Sequence, residues 1–318
     1  MQPHQNNQPS VIFMGTPEFA RIILEKLFHQ NFPIKAVFAQ PDKPAGRGKK
    51  IKSSPVALFA RENNIPLFQP DKLRTPDVLE TIKQTAPDFI IAAAYGKILP
   101  QTVLNSATIE ALNVHGSILP HYRGAAPINY ALMDGRPETG CSIMRMVKEM
   151  DAGPVYLIKK TPIEISDNAV SLSLKLAHIG ADALIEAMRL ISQDKLKPKE
   201  QDHTNATFAP KLARDLSCIN WQDSSQKIFN LVRALVPWPV AATQLDGRQI
   251  KIYATEVLNT RAGAQAGHIV HIAKNGWTVA TGTSDILVKE VQLEGKTKMK
   301  AFDLANGLRL ESGTLSSY

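Results

Sequence analysis

Val11-Ile12-Phe13-Met14-Gly15-Thr16-Pro17-Glu18 runs an unbroken apolar stretch straight into a helix start. Four consecutive apolar residues closed by a glycine read as a buried strand, because one covered on both faces has no reason to alternate. Pro17 suits the first helical position, and Thr16 stands where an N-cap belongs. Phe19, Ile22, Ile23, Leu27 and Phe28 then keep a helical period to about Gln30. The same alternation continues outward. Strands are predicted over Ile34–Ala39, Ile65–Phe68, Phe89–Ala94, Leu112–His115, Ser142–Met146 and Val155–Lys159. Helices are predicted from Pro55 to about Asn63, over Pro76–Thr85 and Ala126–Met133, and over the long amphipathic stretch Ala169–Ile191. A β-α-β rhythm of this kind builds an α/β fold with a doubly wound, mostly parallel sheet, whose working site lies beyond the carboxyl ends of its strands.

Past Lys195 the texture changes. Lys195-Leu196-Lys197-Pro198-Lys199-Glu200 is charged and proline-broken, the composition of a linker. After Lys211 a helix over Gln226–Leu235 stops at Pro237-Trp238-Pro239. Short strands follow at Ala241–Leu245, Gln249–Glu256, Gly267–Ile272, Gly276–Thr281 and Ile286–Leu293, with turn signals at Asp246-Gly247 and Asn275-Gly276. That spacing describes a small β-barrel of the oligonucleotide-binding type.

The chain has 318 residues, 44% hydrophobic and 21% charged, as expected of a two-domain globular enzyme. No stretch approaches the ~18 apolar residues of a membrane span. Met1–Ser10 is polar, so it reads as a short disordered tail and not a secretory signal. Cys141 and Cys218 lie far apart and read as reduced, in keeping with a cytoplasmic address. The net charge of +8 suits an anionic partner.

The chain has no Gly-x-Gly-x-x-Gly fingerprint, Walker loop, metal cluster or nucleophile elbow to carry the chemistry. Asn113, His115 and Asp151 remain. Residues two apart on a strand point the same way, so Asn113 and His115 share one crevice. An amide donor and a protonated imidazole can meet the negative charge that develops on an acyl oxygen, and losing such a donor typically costs on the order of 10²–10³ in rate. A carboxylate at Asp151 can orient the imidazole and accept a proton, with no metal needed.

Asn113-Val114-His115-Gly116-Ser117-Ile118-Leu119-Pro120, Arg123-Gly124-Ala125-Ala126-Pro127 and Met150-Asp151-Ala152-Gly153 resemble the motifs of the formyltransferases that use 10-formyltetrahydrofolate. Phe13–Ala20, Gln40–Lys50, Ala94–Pro100 and Ala234–Pro239 extend the likeness over nearly the whole chain from Val11. The resemblance implies a Rossmann-like catalytic domain over residues 10–194, a linker over 195–210 and an OB-like, tRNA-binding barrel over 211–318. It implies catalytic roles for Asn113, His115 and Asp151, and a folate-binding stretch at Ser117, Ile118, Leu119 and Pro120. The family commonly has Leu at the position of Ile118 and a tryptophan-bearing variant where His121-Tyr122 stands here, while Arg123 is retained. The acceptor it implies is the α-amino group of methionyl initiator tRNA, by direct attack of the amine on 10-formyltetrahydrofolate, in a monomer with no metal and no membrane contact. Within the family the alternative acceptor is UDP-aminoarabinose. A glycinamide ribonucleotide enzyme would lack a second domain like Lys211–Tyr318, and a silent RNA-binding protein would not need the intact trio.

Asp42–Lys52 holds Lys43, Arg47, Lys49, Lys50 and Lys52 against Asp42 alone, with Gly46 and Gly48 beside Arg47. Such a run is commonly just a solvated loop; the resemblance makes it the loop that wedges against the acceptor end of the tRNA. Lys211 opens a second domain of 13 Lys and Arg against 9 Asp and Glu, a net +4 that suits a nucleic-acid platform. Arg47→Ala is expected to weaken tRNA binding or turnover at moderate salt; kinetics and affinity both unchanged would remove Arg47 from the interface.

Overall fold

A computed structural model describes residues 8–45 and 50–317. Residues 1–7 of the tail, and 46–49 with Arg47 and Lys49, lie outside the described residues. The chain forms two compact units. One comprises the chain up to Pro127 with Glu138–Pro162 and Ser173–Pro210; the other comprises Ile128–Pro137, Ile163–Leu172 and Lys211 onward. Residues 195–210, which read as a linker, are therefore part of the first unit, and two internal segments group with the C-terminal residues.

The first unit is built on seven strands: β1 (Val11–Gly15), β2 (Ile34–Phe38), β3 (Leu67–Phe68), β4 (Phe89–Ala93), β5 (Glu110–His115), β6 (Glu138–Arg145) and β7 (Val155–Pro162). Their order is β7-β6-β5-β4-β1-β2-β3. From β5 to β3 every pair is parallel, and β6 and β7 join antiparallel at one edge. Every residue of β1 and of β4 is buried, as their unbroken apolar runs require. The chain winds from β1 to β3 on one side, then returns to β4 and β5 on the other. The reversal between β1 and β4 opens a crevice at the carboxyl ends of the strands, the usual place for a ligand in such sheets. The expected doubly wound, mostly parallel sheet is present; its edge hairpin extends further than the sequence patterns indicated.

One local expectation fails. Thr16 makes no cap bond to the helix Glu18–His29, whose N-cap is Pro17. Its hydroxyl instead donates to the Tyr95 carbonyl at 3.1 Å and accepts from the Gln40 backbone N–H at 3.4 Å. The residue ties three chain segments at the strand ends, a demand that sequence beside it cannot reveal. Ser54 does cap its helix, Pro55–Glu62, accepting from the Ala57 N–H at 3.2 Å.

In the second unit six antiparallel strands close a barrel: β8 (Ala242–Leu245), β9 (Arg248–Val257), β10 (His268–Ala273), β11 (Gly276–Val279), β12 (Ile286–Leu293) and β13 (Gly313–Ser316). The ring runs β9-β8-β13-β10-β11-β12, and β12 pairs back onto β9. Trp277, Ile250, Ile252, Val288 and Leu315 fill it, joined by Ile228, Val232 and Leu235 of the helix Ser225–Leu235. Asp246 and Gly247 both take positive φ, 50° and 72°, the turn that a two-residue hairpin loop demands. The strand that completes the ring was not among the predicted runs, because Gly313-Thr314-Leu315-Ser316 has one apolar residue and no alternation to read. No described helix is long and apolar enough to cross a membrane.

The amino ends of β1, β4 and β5 are joined by Asp88. Its carboxylate accepts from the Ser10 N–H at 2.7 Å, the Ser10 hydroxyl at 2.9 Å and the Thr108 hydroxyl at 3.0 Å. Burial pushes the Asp88 carboxyl up, but these donors and the charge of Lys35 outweigh it and hold it below its ordinary value. A depressed carboxyl contributes stability above its unfolded pKa and loses it as pH falls through the folded one. Asp88→Ala is expected to lower stability at pH 7 by about 2 kcal/mol. Urea unfolding of both proteins should show the gap narrowing below about pH 4.

Candidate active site

β5 ends on Asn113-Val114-His115, and its two-residue period turns the side chains of Asn113 and His115 toward the same carboxylate. Asn113 Nδ2 donates to Asp151 Oδ1 at 3.3 Å, and His115 Nδ1 lies 3.6 Å from Asp151 Oδ2. The second distance suits an ion pair but is too long for a direct hydrogen bond. His115 Nε2 is 2.9 Å from the Tyr122 carbonyl. A carbonyl only accepts, so Nε2 carries a proton and donates. Nδ1 is then the nitrogen left to exchange a proton on the Asp151 side. Asn113 uses one amide hydrogen on Asp151 and keeps a second.

Asp151 sits in the connection between β6 and β7, with φ +52°. Its Oδ2 accepts from the Gly124 backbone N–H at 2.8 Å. Two glycines permit this close packing. A Cβ on Gly153 would lie 2.1 Å from the Arg145 carbonyl oxygen, and one on Gly124, where φ is +120°, would lie 2.6 Å from that of Ala209. Side chains cannot be placed at either position without moving backbone next to the carboxylate.

The loop after β5 closes on itself. Ser117 is fully buried and its hydroxyl donates to the His121 carbonyl at 2.6 Å. Ser142 Oγ donates to the Ser117 carbonyl at 2.7 Å and accepts from the Leu119 N–H at 3.1 Å. Leu119 is buried, whereas Ile118 and Pro120 are half-buried. Of the four residues expected along the cosubstrate, these last two keep surface to offer.

The largest omission of the sequence reading lies in residues 195–210. Gln201, 8% exposed, accepts from Arg123 Nε at 3.1 Å and from its Nη2 at 2.7 Å. Its amide donates to the backbone carbonyls of Asp151 at 2.9 Å and Gly153 at 2.6 Å. Thr207 meets the Tyr122 N–H at 2.9 Å through its hydroxyl and the Arg123 N–H at 2.9 Å through its carbonyl. Phe208–Ala209 pairs in parallel with Arg123–Gly124. The segment thus holds both backbone stretches that frame Asp151. A glutamine within a charged, proline-broken run carries no local signal of this.

The basic segment is a hairpin in which Lys43–Ala45 pairs antiparallel with Lys50–Lys52. Lys43 is exposed, its ammonium 3.4 Å from Gln40 Oε1. The hairpin base is clamped by Asp42, which accepts from Gln69 at 2.7 Å, Ser53 at 2.7 Å and Arg61 at 3.2 Å. Those donors hold the Asp42 carboxyl below its usual range. Lys211 is exposed in the second unit. Among the described residues, no three His, Cys, Asp or Glu side chains gather as a metal site would require.

Residues 9–188 match the family model described as formyl transferase, and residues 211–309 match that of the formyl transferase C-terminal domain. The chain belongs to the formyl transferase family. Methionyl-tRNA formyltransferase of Acetivibrio thermocellus is 43% identical over 306 residues, covering 95% of this chain and 98% of that protein. The enzyme of the same name from Dictyoglomus thermophilum is 45% identical over 315 residues, with the same coverage. Among solved structures, the N-formyltransferase of Helicobacter canadensis in complex with folinic acid and dTDP-3-aminofucose superimposes with a TM-score of 0.67. It is 17% identical and covers 88% of this chain and 98% of its own, a likeness of fold. At the end of β5 an amide hydrogen, an imidazole and a carboxylate converge, groups chemically able to serve an acyl oxygen and an amine.

Gln201→Leu would remove the oxygen that accepts from both Nε and Nη2 of the buried Arg123, leaving the contact of Nη2 with His203 Nδ1 at 3.1 Å, and would strip donors from the Asp151 and Gly153 carbonyls. A loss on the order of 3 kcal/mol in denaturant unfolding is expected. Turnover should also fall at temperatures where the variant remains folded.

Proposed function

We propose that this protein transfers a formyl group from 10-formyltetrahydrofolate to the α-amino group of methionyl initiator tRNA, in the cytoplasm, for translation initiation. The observation that carries the reading is the meeting of Asn113, His115 and Asp151 at the carboxyl end of β5, in a chain of the formyl transferase family. Near end-to-end similarity to proteins named for that reaction supports the choice of acceptor.

The residues fit an acyl donor, since Asn113, His115 and Asp151 together offer a hydrogen-bond donor and proton carriers of the kind an acyl oxygen and an amine use. The folate cosubstrate supplies an electrophilic formyl carbon. The second Asn113 amide hydrogen and a proton on His115 Nδ1 offset the negative charge that grows on the formyl oxygen. Asp151, oriented by the Gly124 N–H, faces His115 and takes the proton released by the attacking amine. The proton then passes to the departing nitrogen. Because the amine attacks directly, no covalent enzyme intermediate is required. Half-buried Ile118 and Pro120 flank the folate, while Ser117 and Leu119 shape the loop that presents them.

What favours tRNA over UDP-aminoarabinose is charge. Residues 42–52 contain Lys43, Arg47, Lys49 and Lys50, and residues 211–318 carry a net +4. A single sugar nucleotide has no use for so extended a set of cations, whereas a polynucleotide does.

The test offers methionyl initiator tRNA and UDP-aminoarabinose as parallel acceptors with 10-formyltetrahydrofolate. Transfer to the tRNA is expected. Asn113→Ala should reduce the rate by about 10²–10³, and His115→Ala should abolish it. Transfer to the sugar nucleotide alone would keep the chemistry and overturn the acceptor.

A further inference from the structure

Glu110, Arg145 and Tyr156 form a polar cluster that the proposed reaction does not use. The Glu110 side chain is 13% exposed, and Tyr156 is buried. Glu110 Oε2 accepts from Arg145 Nε at 2.7 Å, lies 2.6 Å from Arg145 Nη2 and accepts from the Tyr156 hydroxyl. Nη2 also donates to the Tyr156 oxygen at 3.0 Å, and Glu110 Oε1 accepts the Ala111 N–H at 3.2 Å. Burial, and then donation to Glu110, push the Tyr156 hydroxyl up to about 12, while the same carboxylate holds the Arg145 guanidinium above its ordinary value. Both donors therefore keep their protons throughout the range in which an imidazole titrates.

Glu110 opens β5, three residues before Asn113, so the strand period sets it on the opposite face of the sheet from Asn113 and His115. Arg145 is the last residue of β6 and Tyr156 the second of β7, so they are the two feet of the loop that carries Asp151. Tyr156 is also the extra residue of a β-bulge, since Val155 pairs with Met144 and Leu157 with the adjacent Ile143. Ile143 pairs with Val114, which shares the Glu110 face. In a regular strand Leu157 would take that face and Tyr156 the other; the bulge brings Tyr156 round to Glu110. Arg145 holds the loop by its backbone as well. Its N–H donates to the Pro154 carbonyl at 2.9 Å, its carbonyl packs against Gly153, and the Met146 N–H donates to the Ala111 carbonyl at 2.8 Å. A partly buried ion pair is a weak source of stability, but its geometry can fix one element against another.

We propose that Glu110, Arg145 and Tyr156 are positioning residues for Asp151, locking both feet of its loop to β5 from behind and so setting its place against His115 and Asn113. This role rests on the proposed reaction, in which Asp151 takes the amine proton. It adds a hold from the far face of the sheet to the one that Gln201 provides.

The experiment uses the full chain, and its first readout needs no acceptor. Isotope-labelled histidine gives ring nitrogen signals, and that of His115 is identified by its loss in His115→Ala. In Asp151→Asn the His115 signals should move, because the ring loses a facing charge. At the same pH, Glu110→Ala and Tyr156→Phe, which removes a single oxygen, should move them in the same direction. Glu110→Gln, which keeps an acceptor, should return them toward the wild type. In turnover with methionyl initiator tRNA, Glu110→Ala should lower kcat by about 10², the effect of roughly 1 Å of misplacement. KM for both substrates should stay within about twofold. Added to Asp151→Asn, Glu110→Ala should lower the remaining rate no further, since the group it positions has already been lost. Wild-type His115 signals in Glu110→Ala and Tyr156→Phe would overturn the proposal, as would losses that multiply in the double variant. Weaker resistance to urea with signals and kcat unchanged would assign the cluster to stability alone and overturn it too. A wild type that fails to formylate the tRNA would overturn the acceptor, and the His115 signals would still decide the positioning.

Discussion

The carboxylate of Asp151 is the point on which the first unit converges. It stands on a left-handed residue in the β6–β7 connection, takes hydrogen bonds from Asn113 and from the Gly124 backbone, and faces His115. Gln201 grips the Asp151 carbonyl from below, while also accepting from the buried Arg123 next to Gly124. Four separate stretches of chain thus agree on the position of one acidic group. A carboxylate held by so many short contacts has little freedom to move.

The sheet makes this convergence possible. β5 is flanked by parallel β4 and antiparallel β6, so its carboxyl end faces both the crevice of the doubly wound sheet and the hairpin that carries Asp151. Gly153 and Gly124 let backbone come closer there than any side chain would allow. The loop after β5 then folds back through Ser117, Ser142 and the Tyr122 carbonyl, which fixes the His115 ring by its Nε2. Rigid strands and a self-bonded loop leave His115 Nδ1 and the second Asn113 hydrogen as the groups still free to respond to a substrate.

Much of this was readable in advance, for a physical reason. The runs Val11–Met14 and Phe89–Ala94 could only be doubly covered strands, and they are the centre of the sheet. The helix Pro76–Thr85 matches its predicted span because proline and an apolar period mark both its start and its course. Asn113 and His115 were paired by strand period alone. Thr16 was misread because a threonine before a helix is usually its cap, and here two distant segments compete for the hydroxyl and win. Gln201 and Thr207 were passed over because polar residues in a charged, proline-broken run look the same whether they face solvent or a buried arginine.

The sequence by itself determined most of the elements, the class of both units and the identity of the chemically able residues. Each of those is written in the spacing of neighbours along the chain. The tertiary structure alone decided that the stretch read as a linker holds the backbone around Asp151 and Arg123, and that Gly313–Ser316 closes the barrel. It also decided which imidazole nitrogen is tied and which is free. These depend on hydrogen bonds between residues up to 85 positions apart, and such bonds leave no period in the sequence from which they could be read.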